Sequence, residues 1–149
     1  MFEIICEPDF EYGSYGDLVN CTFYCRTEFG DFPDNQWTDF PIALLSGWTD
    51  KLTGIAGSQF ATFVLFFEDG PFWIEGIKTA AQTELTFKTT HADFRAYPNV
   101  QCSFDELVLA VLRMGIHLKH HMTIEKRWQD VNKINECCSK LKTMLKIIG

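Results

Sequence analysis

Over roughly the first hundred residues, short apolar and aromatic runs are cut by turn formers, whereas after Phe104 the apolar positions recur every three or four residues. Strand-sized runs followed by helical periodicity predict an α+β chain, with a predominantly antiparallel sheet, one internal helix and two C-terminal helices. Residues 1–6 and 18–27 read as strands, separated by a loop over residues 7–16 that contains Pro8 and Gly13. Residues 28–35 are dense in acids and breakers and predict an exposed loop despite Phe29 and Phe32. Asp39 is the expected N-cap of a helix over residues 40–55, with Pro41 in a first turn where its missing N–H costs nothing. Leu44, Leu45, Trp48, Leu52 and Ile55 make the apolar face of that helix, and Gly54 and Gly57 are its natural terminators.

Residues 60–67 are rich in β-formers and too short for a helix of that hydrophobicity, which predicts the central strand of the sheet. The turn Glu68-Asp69-Gly70-Pro71 leads back through residues 72–78 as a hairpin partner. Thr83, Leu85 and Phe87 alternate with polar neighbours, so residues 83–90 read as a half-buried strand, and residues 91–100 as a loop. Ser103 and Glu106 satisfy the capping-box pattern at the start of a helix running to about Lys119. A break over residues 120–123 then precedes a second helix to about Ile147. Its expected stripe is Ile124, Trp128, Val131, Ile134, Cys138, Leu141 and Leu145.

A chain of 149 residues that is 46% hydrophobic has enough apolar material for one core, so residues 1–149 are expected to form one domain. The longest apolar stretches fall far short of the roughly 18 residues that cross a bilayer. The first nine residues lack a basic region, and acids interrupt their apolar run, so a cytoplasmic location without membrane association is expected. Six cysteines in such a compartment are expected to be reduced thiols. Cys21 and Cys25 share one face of a strand, but the vicinal Cys137 and Cys138 do not complete a zinc site convincingly, and neither metal nor cofactor is expected.

The net charge of −7 is unevenly placed. Residues 1–39 carry nine acids and only Arg26 in opposition, a balance of −8, while residues 104–149 carry eight bases and five acids, a balance of +3. An acidic N-terminal half argues against nucleic acid, which needs clustered Lys and Arg. It reads either as solvated surface or as a docking surface for a basic protein.

His117 and His121 sit four residues apart on one helical face, with His120 beside them, but no carboxylate completes a metal set. Cations near a helix C-terminus also match the macrodipole without any metal. No nucleophile elbow, P-loop or dinucleotide fingerprint occurs, and catalysis is not expected. Cys102 is a formal thiol candidate, because the field of the following helix would lower its pKa. Trp48 and Trp128 lie on apolar stripes and read as core. Trp37 follows the acidic loop, so Glu28, Asp31, Phe32, Asp34, Trp37 and Asp39 are the candidate partner-binding residues: four acids around two apolar anchors.

One further feature is a likeness. The run Trp37-Thr38-Asp39-Phe40, then Leu44, Leu45, Trp48 and Leu52, then residues 63–70 and Trp73-Ile74, resembles a segment of some bacterial contact-dependent growth inhibition immunity proteins. It covers about a quarter of the chain and consists mostly of packing and turn residues. The resemblance implies a small cytoplasmic protein that binds and neutralises a cognate toxin domain, often a nuclease, by stoichiometric occlusion. It implies no particular binding residues. Two other functions stay open at this point: a small-molecule-binding domain or enzyme with a pocket between sheet and helices, and an adaptor that dimerises through an exposed stripe on its last helix.

Overall fold

The computed structural model describes residues 1–12, 19–94 and 96–148. The chain is α+β, with a helix in mid-chain and two at the C-terminus, but the strands form two antiparallel sheets, not one. The first sheet is built around β3 (Val19–Thr27). Strands β1 (Phe2–Cys6) and β2 (Glu11–Tyr12) pair with one edge of β3, and β4 (Gly30–Phe32) and β5 (Thr38–Asp39) pair with the other. The second sheet runs in order β6 (Ala61–Phe66), β7 (Phe72–Lys78), β8 (Thr83–Thr89) and β9 (Val100–Cys102). Residues 61–66 are therefore an edge strand and not the centre expected from their hydrophobicity. Helix α1 (Pro41–Ile55) packs along β6, and the Trp48 indole donates to the Phe66 carbonyl at 2.8 Å.

The pleat sorts each strand into two faces. On β3 the odd positions Val19, Cys21, Phe23, Cys25 and Thr27 are all buried. On the second sheet, Leu65, Ile74 and Phe87 lie side by side in register and close its inner face, as do Phe63, Gly76, Leu85 and Val100. Gly76 is needed there, because a Cβ would stand 2.1 Å from the Phe63 ring that lies across it.

Phe32 joins the two sheets. It is fully buried, with Phe67, Phe72, Phe87, Phe94 and Tyr97 meeting it edge to face between 5.0 and 5.8 Å. The expected exposed loop over residues 28–35 thus contains a strand, and its second phenylalanine is an aromatic hub. Phe29 remains 51% exposed. Alternation explains the difference: Phe32 faces Cys25 on the inner side of β3, while Phe29 lies in the turn.

Ser103 caps α2 (Phe104–Ile124), accepting a hydrogen bond from the Glu106 amide at 3.0 Å. The Glu106 carboxylate turns instead toward the amino group of Met1, 3.9 Å away. The chain breaks at residues 125–127, later than expected, and α3 (Trp128–Ile148) follows. Val131, Ile134, Cys138 and Leu141 are buried against α1 and α2, as their spacing predicts. Ile124, the last residue of α2, and Trp128, the first residue of α3, lie outside that stripe, 60% and 56% exposed, because both sit at helix ends beside the break. No helix among the described residues is long and apolar enough to cross a membrane.

Candidate functional site: an acidic sheet face

The outer face of the first sheet is set by the register of β1 on β3. Glu3 stands opposite Arg26, Ile5 opposite Tyr24, and Glu7 continues the ladder by donating its amide to the Thr22 carbonyl at 2.9 Å. Glu11 stands opposite Asn20, and Asp31 opposite Arg26 from the other side. Glu3, Glu7, Glu11 and Asp31 thereby share one face with Arg26, and Arg113 of α2 lines a groove beside Glu3. Asp9 closes the turn between β1 and β2, accepting from the Thr22 hydroxyl at 2.6 Å and the Thr22 amide at 2.9 Å. The hydroxyl bond is the main reason its carboxyl lies below the usual range. Arg26 donates to Asp31 at 3.0 Å and lies over the Tyr24 ring, which neutralises one acid and leaves the others facing solvent.

The six residues expected to bind a partner are divided by the fold. Glu28 is exposed in the β3–β4 turn and holds the Met1 amino group at 3.0 Å. Asp31 joins the acidic face. Asp34 is exposed, and its side chain accepts from the Gln36 amide at 2.8 Å, shaping the turn. Phe32 is in the core and cannot serve as an anchor. Trp37 is half-buried on the inner side of the sheet, opposite Phe23, whose amide donates to the Trp37 carbonyl. Its ring packs edge to face on Phe72 at 4.9 Å.

Asp39 is fully buried and does not cap α1. It lies one residue too early, with Phe40 at the cap position. Its carboxylate accepts from the Phe40 amide at 2.7 Å, the Trp37 indole at 3.0 Å and the Asp69 amide at 3.3 Å, tying β5 to the turn between β6 and β7. Burial raises its pKa, against the pull of these hydrogen bonds.

Sequence reasoning counted Glu3, Glu7 and Glu11 in the acidic segment but assigned them no surface. With residues 7–16 read as a loop, Glu7 and Glu11 carry no strand alternation in the sequence, and only pairing with β3 brings them to the face of Glu3.

The other candidates resolve differently. His117 and His121 do share a face, with ring centroids 4.6 Å apart, and Phe10 packs against both. They lie within α2, not at a break. Burial, followed by the neighbouring imidazoles, lowers the pKa of His121. Among the described residues no group of three or more His, Cys, Asp or Glu is placed to hold a metal. Cys102 is buried and pushed up to about 12 by desolvation, so the expected lowering by the α2 terminus is outweighed.

A cleft of about 480 Å³ is lined by Ser58, Gln59, Lys78, Gln82, Ser103 and Asp105, among others. Its one cation is committed: the buried Lys78 ammonium donates to the carbonyls of Ile55, Ala56 and Ser58 and lies 4.8 Å from the Phe104 ring. Lys78 thus satisfies the C-terminus of α1.

A second surface lies on the outer face of the second sheet, where Phe66, 58% exposed, stands opposite Trp73 and Ile77 stands opposite Thr62. The chain matches no family model, no curated protein and no solved structure.

Proposed function

We propose that the protein is an immunity protein, which binds a basic toxin domain through the outer face of its first sheet and neutralises it by occlusion. The observation that carries this reading is the gathering of Glu3, Glu7, Glu11 and Asp31 on one solvent-facing sheet surface, where Arg26 is paired to Asp31. Carboxylates held on a rigid sheet present a fixed negative field, which accelerates encounter with a positive partner and disfavours like-charged ones. On a nuclease they would stand where substrate phosphates lie. The likeness of residues 37–76 to contact-dependent growth inhibition immunity proteins supplies the class of partner. Burial of Val131, Ile134 and Leu141 takes the middle of the last helix's stripe out of reach of a second copy, which favours this reading over a dimerising adaptor. The commitment of Lys78 to three carbonyls leaves the cleft beside α2 without a free cation for an anionic ligand.

The test is co-expression with a basic toxin domain encoded in a reading frame next to that of this chain, followed by titration of the purified pair. Rescue of growth and a one-to-one complex are expected. A variant carrying Glu3→Lys, Glu7→Lys and Asp31→Lys, with an unchanged circular dichroism spectrum, should lose rescue. Continued growth arrest with the unaltered chain would overturn the proposal.

A further inference from the structure

The thiols of Cys6 and Cys21 are 3.4 Å apart, on neighbouring strands of the first sheet. Cys6 ends β1 opposite Phe23, and Cys21 lies two residues along β3, so both side chains point to the same inner face as diagonal neighbours. A covalent S–S bond is about 2.05 Å, so closing it requires the sulfurs to approach by only about 1.4 Å. Their surroundings differ. Cys6 is partly open to solvent, whereas Cys21 is 1% exposed, and Cys25, Cys102, Cys137 and Cys138 are all buried. The contact with Cys6, together with burial, pushes the Cys21 thiol well above the ordinary range. Cys6 is therefore the sulfur that a soluble oxidant reaches first.

We propose that Cys6 and Cys21 form a reversible disulfide, with Cys6 as the site attacked by a hydroperoxide and Cys21 as the resolving thiol. In the first step the Cys6 thiolate attacks the terminal peroxide oxygen. The O–O bond breaks, Cys6 becomes a sulfenic acid, and the departing oxygen takes a proton to leave as water or alcohol. In the second, the Cys21 sulfur attacks the Cys6 sulfur. The S–O bond breaks, and the hydroxyl leaves with the Cys21 proton as water. Two thiols lose two protons and two electrons, and the hydroperoxide gains the same. A dithiol reductant reverses the product by exchange. The crosslink ties the end of β1 to the start of β3, beneath the turn where Asp9 already grips Thr22.

The test uses the full-length reduced protein, treated under native conditions with hydrogen peroxide in slight excess, then alkylated and mapped without reduction. The expected result is one Cys6–Cys21 linked peptide and a loss of two of the six free thiols. Dithiothreitol should restore both. In a Cys21→Ser variant, Cys6 should instead accumulate as a sulfenic acid trapped by dimedone. In a Cys6→Ser variant all five remaining thiols should survive. The unaltered chain decides the matter whether or not the variants fold. If its Cys6 stops at sulfenic acid beside a free Cys21, or another pair links first, the proposal is wrong.

Discussion

Gly70, with φ +93, passes so close to Trp37 that a Cβ at position 70 would stand 2.6 Å from Cη2 of the indole. The turn between β6 and β7 and the end of the β4–β5 connection are thus fitted to each other, and Asp39 fastens the same junction by accepting from both Trp37 and Asp69. Gly70→Ala must therefore displace the indole as well as adopt a left-handed backbone conformation. A loss of about 2 kcal/mol or more is expected. In a Trp37→Ala background the same change should cost less, because only the backbone component remains. Urea unfolding of the four proteins checks this, and additive losses would mean that the two residues are not in contact.

For Trp37→Ala alone, the half-buried position on the inner side of the sheet predicts an effect on folding more than on binding. Removing a ring packed on Phe72 should cost about 2–3 kcal/mol, below the usual range for a fully buried Trp. Partner dissociation measured on the folded fraction should be nearly unchanged. A large increase in dissociation rate with full stability would return Trp37 to the interface.

On α3, Val131→Asp places an unpaired charge in the core and should cost about 3 kcal/mol or more. Trp128→Ala, at a residue expected to be core but 56% exposed, should cost under about 1 kcal/mol. Thermal melts of both variants separate the two positions. Equal losses would place the Trp128 ring inside the domain.

Asp9 should make the stability depend on acid pH. Its folded pKa lies below the ordinary value of 3.8, so the unfolded chain takes up the proton first as pH falls. Its contribution is therefore fully present above that value and is lost as pH drops through the folded pKa. Asp9→Asn should lower stability at neutral pH and flatten the acid decline. Urea midpoints measured from pH 6 to pH 2 test this, and parallel curves for the two proteins would show that the Thr22 bonds do not persist in solution.

For a basic partner, association should slow as salt rises, since exposed charges beyond about 10 Å are screened at 0.1 M. Glu3→Lys with Glu7→Lys should reduce the on-rate on the order of tenfold at low salt and flatten its salt dependence. Stopped-flow mixing with the toxin domain gives both numbers. An unaltered rate would move the contact to the Phe66 and Trp73 face of the second sheet.

The local elements were legible in the chain because local rules govern them. The capping residue Ser103, the apolar spacing of Leu44, Leu45, Trp48 and Leu52, the 68–71 turn and the alternation of Thr83, Leu85 and Phe87 each act within a few residues. The α+β class followed from their order. What required the tertiary structure was every choice between two faces or two neighbours. Residues 61–66 are as hydrophobic as a central strand, but α1 packs along them and among the described residues only β7 pairs with them.

Phe29 and Phe32 have the same composition around them, and only the pairing of β4 with β3 sends one into the core and leaves the other exposed. Asp39 carries the residue type of a cap, but a shift of one position makes it a buried acceptor shared with a turn thirty residues away. The acidic face has the same origin. Charge counting locates acids along the chain, whereas their convergence depends on strand register, and a slip of one residue would turn Glu3 and Glu7 inward. Cys6 and Cys21 meet for the same reason, since their separation in sequence carries no distance until β1 lies down beside β3.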